Sequence, residues 1–138
     1  MGARRQAREL ALQALYSWAV SNTEVEELIT FPWVQEEKNK LLPDTQYFAA
    51  FMVKGTIENI EEIDAAIKQH IEHWDFSRLS KVDLAILRIS IFSLIYQKDV
   101  PTTVTINEAI DIAKDFSNDD SYRFINGVLD GFRKKRNI

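Results

Sequence analysis

Arg4, Arg5 and Arg8 open the chain and Arg133, Lys134, Lys135 and Arg136 close it, whereas Glu24, Glu26, Glu27, Glu58, Glu61, Glu62 and Asp64 fill its first half. A guanidinium offers a two-pronged fork to phosphate oxygens, so the opening arginines are candidates for a phosphate backbone. Cations at a helix start oppose the macrodipole, and an external anion would account for the placement. A solvated helix start is the plainer account. A second group, Phe116, Asp120, Arg123 and Phe124, surrounds the polar turn Ser117-Asn118-Asp119-Asp120. Rings there can stack on unpaired bases, and N–H groups at a helix start can receive phosphate. The same phenylalanines also fit a core period and Asp120 also fits an N-cap, so packing and RNA contact both stay open.

Other chemistries lack their residues. His70 and His73 lie three apart, but the paired Glu-x-x-His of a di-iron bundle is absent, and no metal site is expected. The chain has no cysteine, which excludes thiolate catalysis, Cys-ligated zinc and iron–sulfur clusters. It has no His-Glu-x-x-His, no Gly-rich phosphate loop and no Gly-x-Ser-x-Gly, and Glu61 and Glu62 point to different helix faces. Neither an enzyme nor a cofactor is expected. Gly127 and Gly131, one turn apart, suggest a close approach between helices.

These residues must be positioned by helices. With 138 residues, 46% of them hydrophobic, the chain can bury one core without metal or disulfide. No apolar run approaches the ~18 residues of a membrane span, and the N-terminus lacks a signal-peptide apolar core, so a cytoplasmic protein is expected. Ala7, Leu10, Ala11, Ala14, Leu15 and Trp18 predict a helix from about Ala3 to Val20, with Arg5, Arg8, Leu12 and Tyr16 on a second face. Glu24 to Ile29 reads as a short helix, followed by a segment from Pro32 to Lys40. Phe48, Phe51, Met52, Ile60, Ile63, Ile67, Ile71 and Trp74 keep a helical period for about 30 residues, predicting one long helix kinked near Gly55. Val82 to Tyr96, capped by Ser80 with Asp83, is apolar nearly all round, as in a helix enclosed by others. Thr105 with Glu108 offers a capping box for a sixth helix ending near Phe116, and Phe124, Ile125, Val128, Leu129 and Phe132 predict a seventh. Pro101 interrupts the one β-branched run, so no sheet is expected. The expectation is an all-α fold of about seven helices in two small bundles, with halves at about 1–74 and 75–138.

The order of motifs Ala-Arg-Arg-Gln-Ala-Arg-Glu-Leu-Ala-Leu-Gln-Ala-Leu-Tyr (3–16), Ala-Ile-Leu-Arg-Ile (85–89), Val-Pro (100–101), Ile-Asn-Glu-Ala-Ile (106–110) and Phe-Ile-Asn-Gly-Val-Leu-Asp (124–130) resembles the NusB family of bacterial transcription antitermination factors. The likeness runs end to end and is weakest over 22–45. It implies an all-helical protein that pairs with the ribosomal protein NusE, binds the boxA element of nascent RNA as a heterodimer, and opposes termination of ribosomal RNA transcription at the elongation complex. By position it implies RNA contacts at Arg4, Arg5, Arg8, Phe116, Asp120, Arg123 and Phe124, and NusE contacts at Tyr16 and Asp83. Gln6 departs from the family, which often has another arginine there, and the run Arg133 to Arg136 has no counterpart to explain it. Two rivals stand beside this. One is a stand-alone relative of the helical domain found in RNA cytosine methyltransferases. The other is a protein-interaction scaffold without an RNA role, a homodimer covering the Arg5/Leu12/Tyr16 face.

Overall fold

A computed structural model describes residues 2–34, 41–71 and 75–138. Among them lie seven α-helices: α1 (Ala3–Ser21), α2 (Val25–Leu28), α3 (Pro43–Glu58), α4 (Ile60–Lys68), α5 (Lys81–Tyr96), α6 (Thr102–Phe116) and α7 (Ser121–Arg136). A single 3-10 turn, Phe76–Arg78, precedes α5, and no strand occurs among the described residues. The fold is all-α, as the periodicity predicts. Residues 35–40 of the segment expected from Pro32 to Lys40, together with His73 and Trp74, lie outside the described residues.

The enclosed helix is α5. Every residue from Asp83 to Leu94 is buried, and α1, α3, α4, α6 and α7 all pack on it. Its start is fixed by the Ser80 hydroxyl, which accepts from the Asp83 N–H at 3.0 Å, the cap expected from the sequence. From within this buried run Arg88 forks onto both oxygens of Asp64 at 2.9 Å, tying α4 to α5, and its guanidinium lies 5.5 Å from the Trp18 ring centroid.

Three local expectations fail. The long helix is broken at Asn59, whose φ of −112° and ψ of 24° leave the helical region, and the Asn59 amide donates back to the Gly55 carbonyl at 2.8 Å. Gly55 is no hinge: a Cβ there would fall 2.3 Å from the Phe92 ring, so the missing side chain lets α3 close on α5. The helix α6 starts at Thr102, directly after Pro101, three residues ahead of the expected cap. Thr105 is therefore buried inside the helix and Glu108 is used elsewhere. Neither of the paired glycines faces another helix closely among the described residues: a Cβ on Gly131 would lie 3.1 Å from His70 in the turn after α4, and one on Gly127 would meet no described residue within 4 Å.

At its C-terminus α1 ends as predicted. Asn22 takes the left-handed conformation, φ 53°, and its N–H bonds to the Trp18 carbonyl at 3.1 Å. Asn137 does the same for α7 at φ 59°. Among the described residues no helix is long and apolar enough to cross a membrane.

Candidate nucleic-acid interface

The three opening arginines have different fates. Arg4 is exposed. Arg5 is half-buried and reaches across to α6, where its guanidinium meets Asp115 Oδ2 at 2.7 Å, with Glu9 at 3.6 Å on its own helix. Arg8 is only 4% exposed, and two of its nitrogens donate to Ser93 Oγ at 3.0 Å while its Nε faces Glu108 at 3.4 Å. Burial lowers the Arg8 pKa, with Glu108 opposing and Arg4 reinforcing the shift. The arc shared by Arg8 and Leu12 is thus a second packed face of α1 against α5 and α6, with Leu12 3% exposed and Tyr16 at its open edge.

The Arg5 to Asp115 pair joins the two predicted RNA regions. Asp115 immediately precedes Phe116, the last residue of α6, so the start of α1 lies beside the turn into α7. That turn is held from below. Asp83 is 8% exposed; its Oδ1 accepts from the Ser117 hydroxyl at 2.5 Å and its Oδ2 from the Ser121 hydroxyl at 2.9 Å. Both carboxylate oxygens of this residue, assigned by resemblance to the protein partner, are therefore occupied by the α6–α7 turn. Above the turn Asp120 and Arg123 are exposed and Phe124 is half-buried. Asp120 occupies the N-cap position of α7 but makes no side-chain cap bond, so the capping role open to it in the sequence is not used.

Two grooves flank the first turn of α5. The first, about 340 Å³, is apolar and is lined by Leu12, Gln13, Tyr16, Ser17, Trp33, Val82 and Phe116. Tyr16 is 42% exposed there, Phe116 41% and Trp33 37%, a large solvated aromatic surface. The second, about 390 Å³, is polar and is lined by Arg78, Leu79, Ser80, Asp83, Asn118, Asp120, Ser121 and Phe124. The assignments by resemblance are thus crossed. Phe116 shares a groove with Tyr16, and Asp83 shares one with Asp120 and Phe124.

Residues missed in the sequence complete the surface. Tyr122 carries two cations: Lys114 Nζ lies 4.9 Å from its ring centroid and the Arg123 guanidinium 5.5 Å, while Arg123 Nε donates to the Tyr122 hydroxyl at 3.0 Å and its pKa is raised by that bond. The signal was the adjacency of Tyr122 to Arg123 on the edge of the apolar arc. Trp33 is fixed by its indole N–H, which donates to Gln13 at 2.7 Å. Arg78 reaches the polar groove from the 3-10 turn, which no periodicity announces.

No group of three or more His, Cys, Asp or Glu suited to a metal ion occurs among the described residues. What the surface offers is cations for phosphate, rings for bases, and an apolar groove beside them.

Comparison with known proteins places the chain in a family. The NusB family model matches residues 5–134. The transcription antitermination protein NusB of Treponema denticola is 49% identical over 132 residues, covering 96% of each chain. The solved structure of T. maritima NusB superposes with a TM-score of 0.83 at 34% identity, covering 96% of this chain and 91% of that one. A structure of antitermination factors NusB and NusE in complex with dsRNA gives 0.84 at 31% identity, covering 96% and 97%. On these matches the chain belongs to the NusB family.

Proposed function

We propose that the protein is a transcription antitermination factor that binds boxA RNA as a heterodimer with ribosomal protein NusE, and so supports antitermination of ribosomal RNA transcription at the elongation complex in the cytoplasm. It acts without catalysis, as a single module whose halves, about 1–74 and 75–138, share α5. The observation that carries the proposal is the Arg5 to Asp115 contact, which sets the basic start of α1 beside the aromatic turn between α6 and α7. Cations and exposed rings on one continuous surface are what single-stranded RNA recognition requires. Support also comes from the relatives, named as antitermination proteins, and from the neighbour solved with NusE and RNA.

Within this surface Arg4, Arg123 and Phe124 are the direct RNA contacts, Asp120 is a repulsive element, and Arg5 is shared between RNA and Asp115. Arg8 acts by seating α1. Tyr16 with Phe116 and Trp33 receives NusE in the apolar groove, while Asp83 serves both grooves from inside by fixing the turn. A net charge of −4 is compatible with RNA binding because the cations are local, and it draws a strongly basic ribosomal partner.

The test is a titration of boxA and scrambled RNA against the protein with and without NusE at two ionic strengths. Preferential boxA binding that tightens with NusE and weakens with salt is expected. Equal affinity for scrambled RNA, or affinity indifferent to salt, would overturn it. Light scattering addresses the homodimer: a dimer through the Tyr16 groove that RNA and NusE leave intact would favour the scaffold.

A further inference from the structure

Beyond Arg123 at its start, the outer face of α7 has no role in the surface described so far. Stepping 100° per residue, Arg123, Asn126, Gly127, Asp130 and Lys134 form one stripe opposite the buried Ile125, Val128, Leu129 and Phe132, and Arg133 borders it. It starts at the α6–α7 turn and ends in the basic run. Over the eleven steps from Arg123 to Lys134 it spans about 16 Å at a rise of 1.5 Å each.

Two features of this stripe lack an internal explanation. Gly127 is a glycine in the interior of a helix, where alanine is favoured, yet no described residue approaches its Cβ position within 4 Å. A glycine that no neighbouring helix needs is suited to a close approach from outside the molecule. The second feature is the surplus of cations. In the last turn of α7 the Arg133 and Lys134 carbonyls are already engaged by the Asn137 and Ile138 N–H groups. Asp130 alone answers both Arg133, at 2.7 Å, and Lys134, at 2.9 Å. Arg136, by contrast, turns away from the stripe to lie 4.9 Å from the Phe132 ring centroid, and Lys135 turns to Gln69 at the end of α4.

We infer that the outer face of α7 is a second RNA-binding surface, a track along which the strand leaving the α6–α7 turn passes over Gly127 to Arg133 and Lys134. The inference rests on the RNA-binding function proposed above. Charge selects the occupant: with Arg123 at one end and Arg133 and Lys134 at the other, the stripe attracts a polyanion and repels a strongly basic protein. Phosphates stacked at a rise of ~3.4 Å would cover it in about five nucleotides, and fewer if unstacked.

The experiment uses a boxA core oligonucleotide and the same core extended by six uridines on its 5′ or its 3′ side, titrated in the presence of NusE across a salt series. For the wild-type protein one extension is expected to tighten binding several-fold. The double variant R133A/K134A should bind the core unchanged, lose the gain, and show a salt slope for the extended RNA lower by about 1.4, given about 0.7 per phosphate neutralised on a single strand. Gly127→Gln, which fits the open space, should likewise lose the gain while leaving thermal unfolding no lower. Arg136→Ala should keep it. Failure of the wild-type protein to bind the core refutes the RNA-binding proposal and this inference with it. Core binding without any extension gain, a gain that survives R133A/K134A, or an equal loss in Arg136→Ala overturns the α7 track alone.

Discussion

Removal of the Asp83 carboxylate separates an internal clamp from a partner contact. The side chain is 8% exposed and accepts two hydroxyl hydrogen bonds, from Ser117 at 2.5 Å and Ser121 at 2.9 Å, in the first turn of α5. Hydrogen bonds to a charged acceptor contribute about 1.5–3 kcal/mol each, and a carboxylate near a helix N-terminus adds about 0.3–1 kcal/mol. The sum is an upper limit for Asp83→Ala. Ser117 is only half-buried and can turn to water, and the Ser121 hydroxyl keeps Asn118 Oδ1 at 2.9 Å. We therefore expect a loss of about 2–4 kcal/mol in urea unfolding, a fall in Tm of roughly 8–16 °C at about 4 °C per kcal/mol for a domain of this size. Asp83→Asn keeps the volume and one acceptor and should lose only about 1 kcal/mol. Because both oxygens are engaged inside, NusE affinity of the folded Asp83→Asn protein should match wild type, as read by calorimetric titration. A stability change below about 0.5 kcal/mol for Asp83→Ala, or a tenfold loss of NusE affinity in an Asp83→Asn protein of unchanged stability, would refute the clamp.

The opening arginines should divide under the same two assays. Arg8→Ala removes a buried guanidinium from Ser93 and Glu108 and should cost about 2–4 kcal/mol of unfolding free energy, whereas the exposed Arg4→Ala should stay within about 0.5 kcal/mol and lose RNA affinity several-fold. Asp120→Asn, with no cap bond to lose, should leave stability unchanged and tighten RNA binding up to about fivefold, since like charges near contact in water cost about 1 kcal/mol; unchanged RNA affinity would place the carboxylate away from phosphate. The glycines should respond with opposite signs in thermal melts. Gly127→Ala should gain up to about 1 kcal/mol from helix propensity, while Gly55→Ala, driven into Phe92, should lose about 1–3 kcal/mol.

The helix inventory was legible because most elements obey one period and one cap rule, and α5 with Ser80 is the clearest case. The break at Asn59 was not. Buried Ala49, Thr56 and Ile63 follow one another at seven-residue steps across it, so the apolar phase is the same on both sides and carries no sign of the interruption. Gly55 drew attention because glycine weakens a helix, but its cause is the bulk of Phe92, a residue 37 positions away that no local window includes. The start of α6 was misplaced for a related reason. Pro101 stands at the N-cap with an extended ψ of 139° and the helix begins directly after it, so the later Thr105 and Glu108 pattern was a coincidence of residue types.

At the candidate site the fate of Arg8 was within reach of arithmetic. Taking Ala7 as zero, Leu15 falls at 80°, Arg8 at 100° and Leu12 at 140°, so Arg8 lies between two leucines that are 0% and 3% exposed. Its charge suggested a ligand, but its position on the wheel assigns it to the core, where Ser93 supplies the polar partner. The pairing of grooves was beyond any such arithmetic. It depends on the first turn of α5 passing between α1 and the α6–α7 turn, so that Val82 and Asp83, adjacent in sequence, face different grooves. Adjacent residues on a helix point about 100° apart, and here that angle separates the groove assigned to a protein from the one assigned to RNA. A partner seated on Tyr16 and Phe116 would therefore press on the same turn that Asp83 anchors. On the proposed assignment of the two grooves, coupling between NusE and RNA binding would follow from where α5 begins.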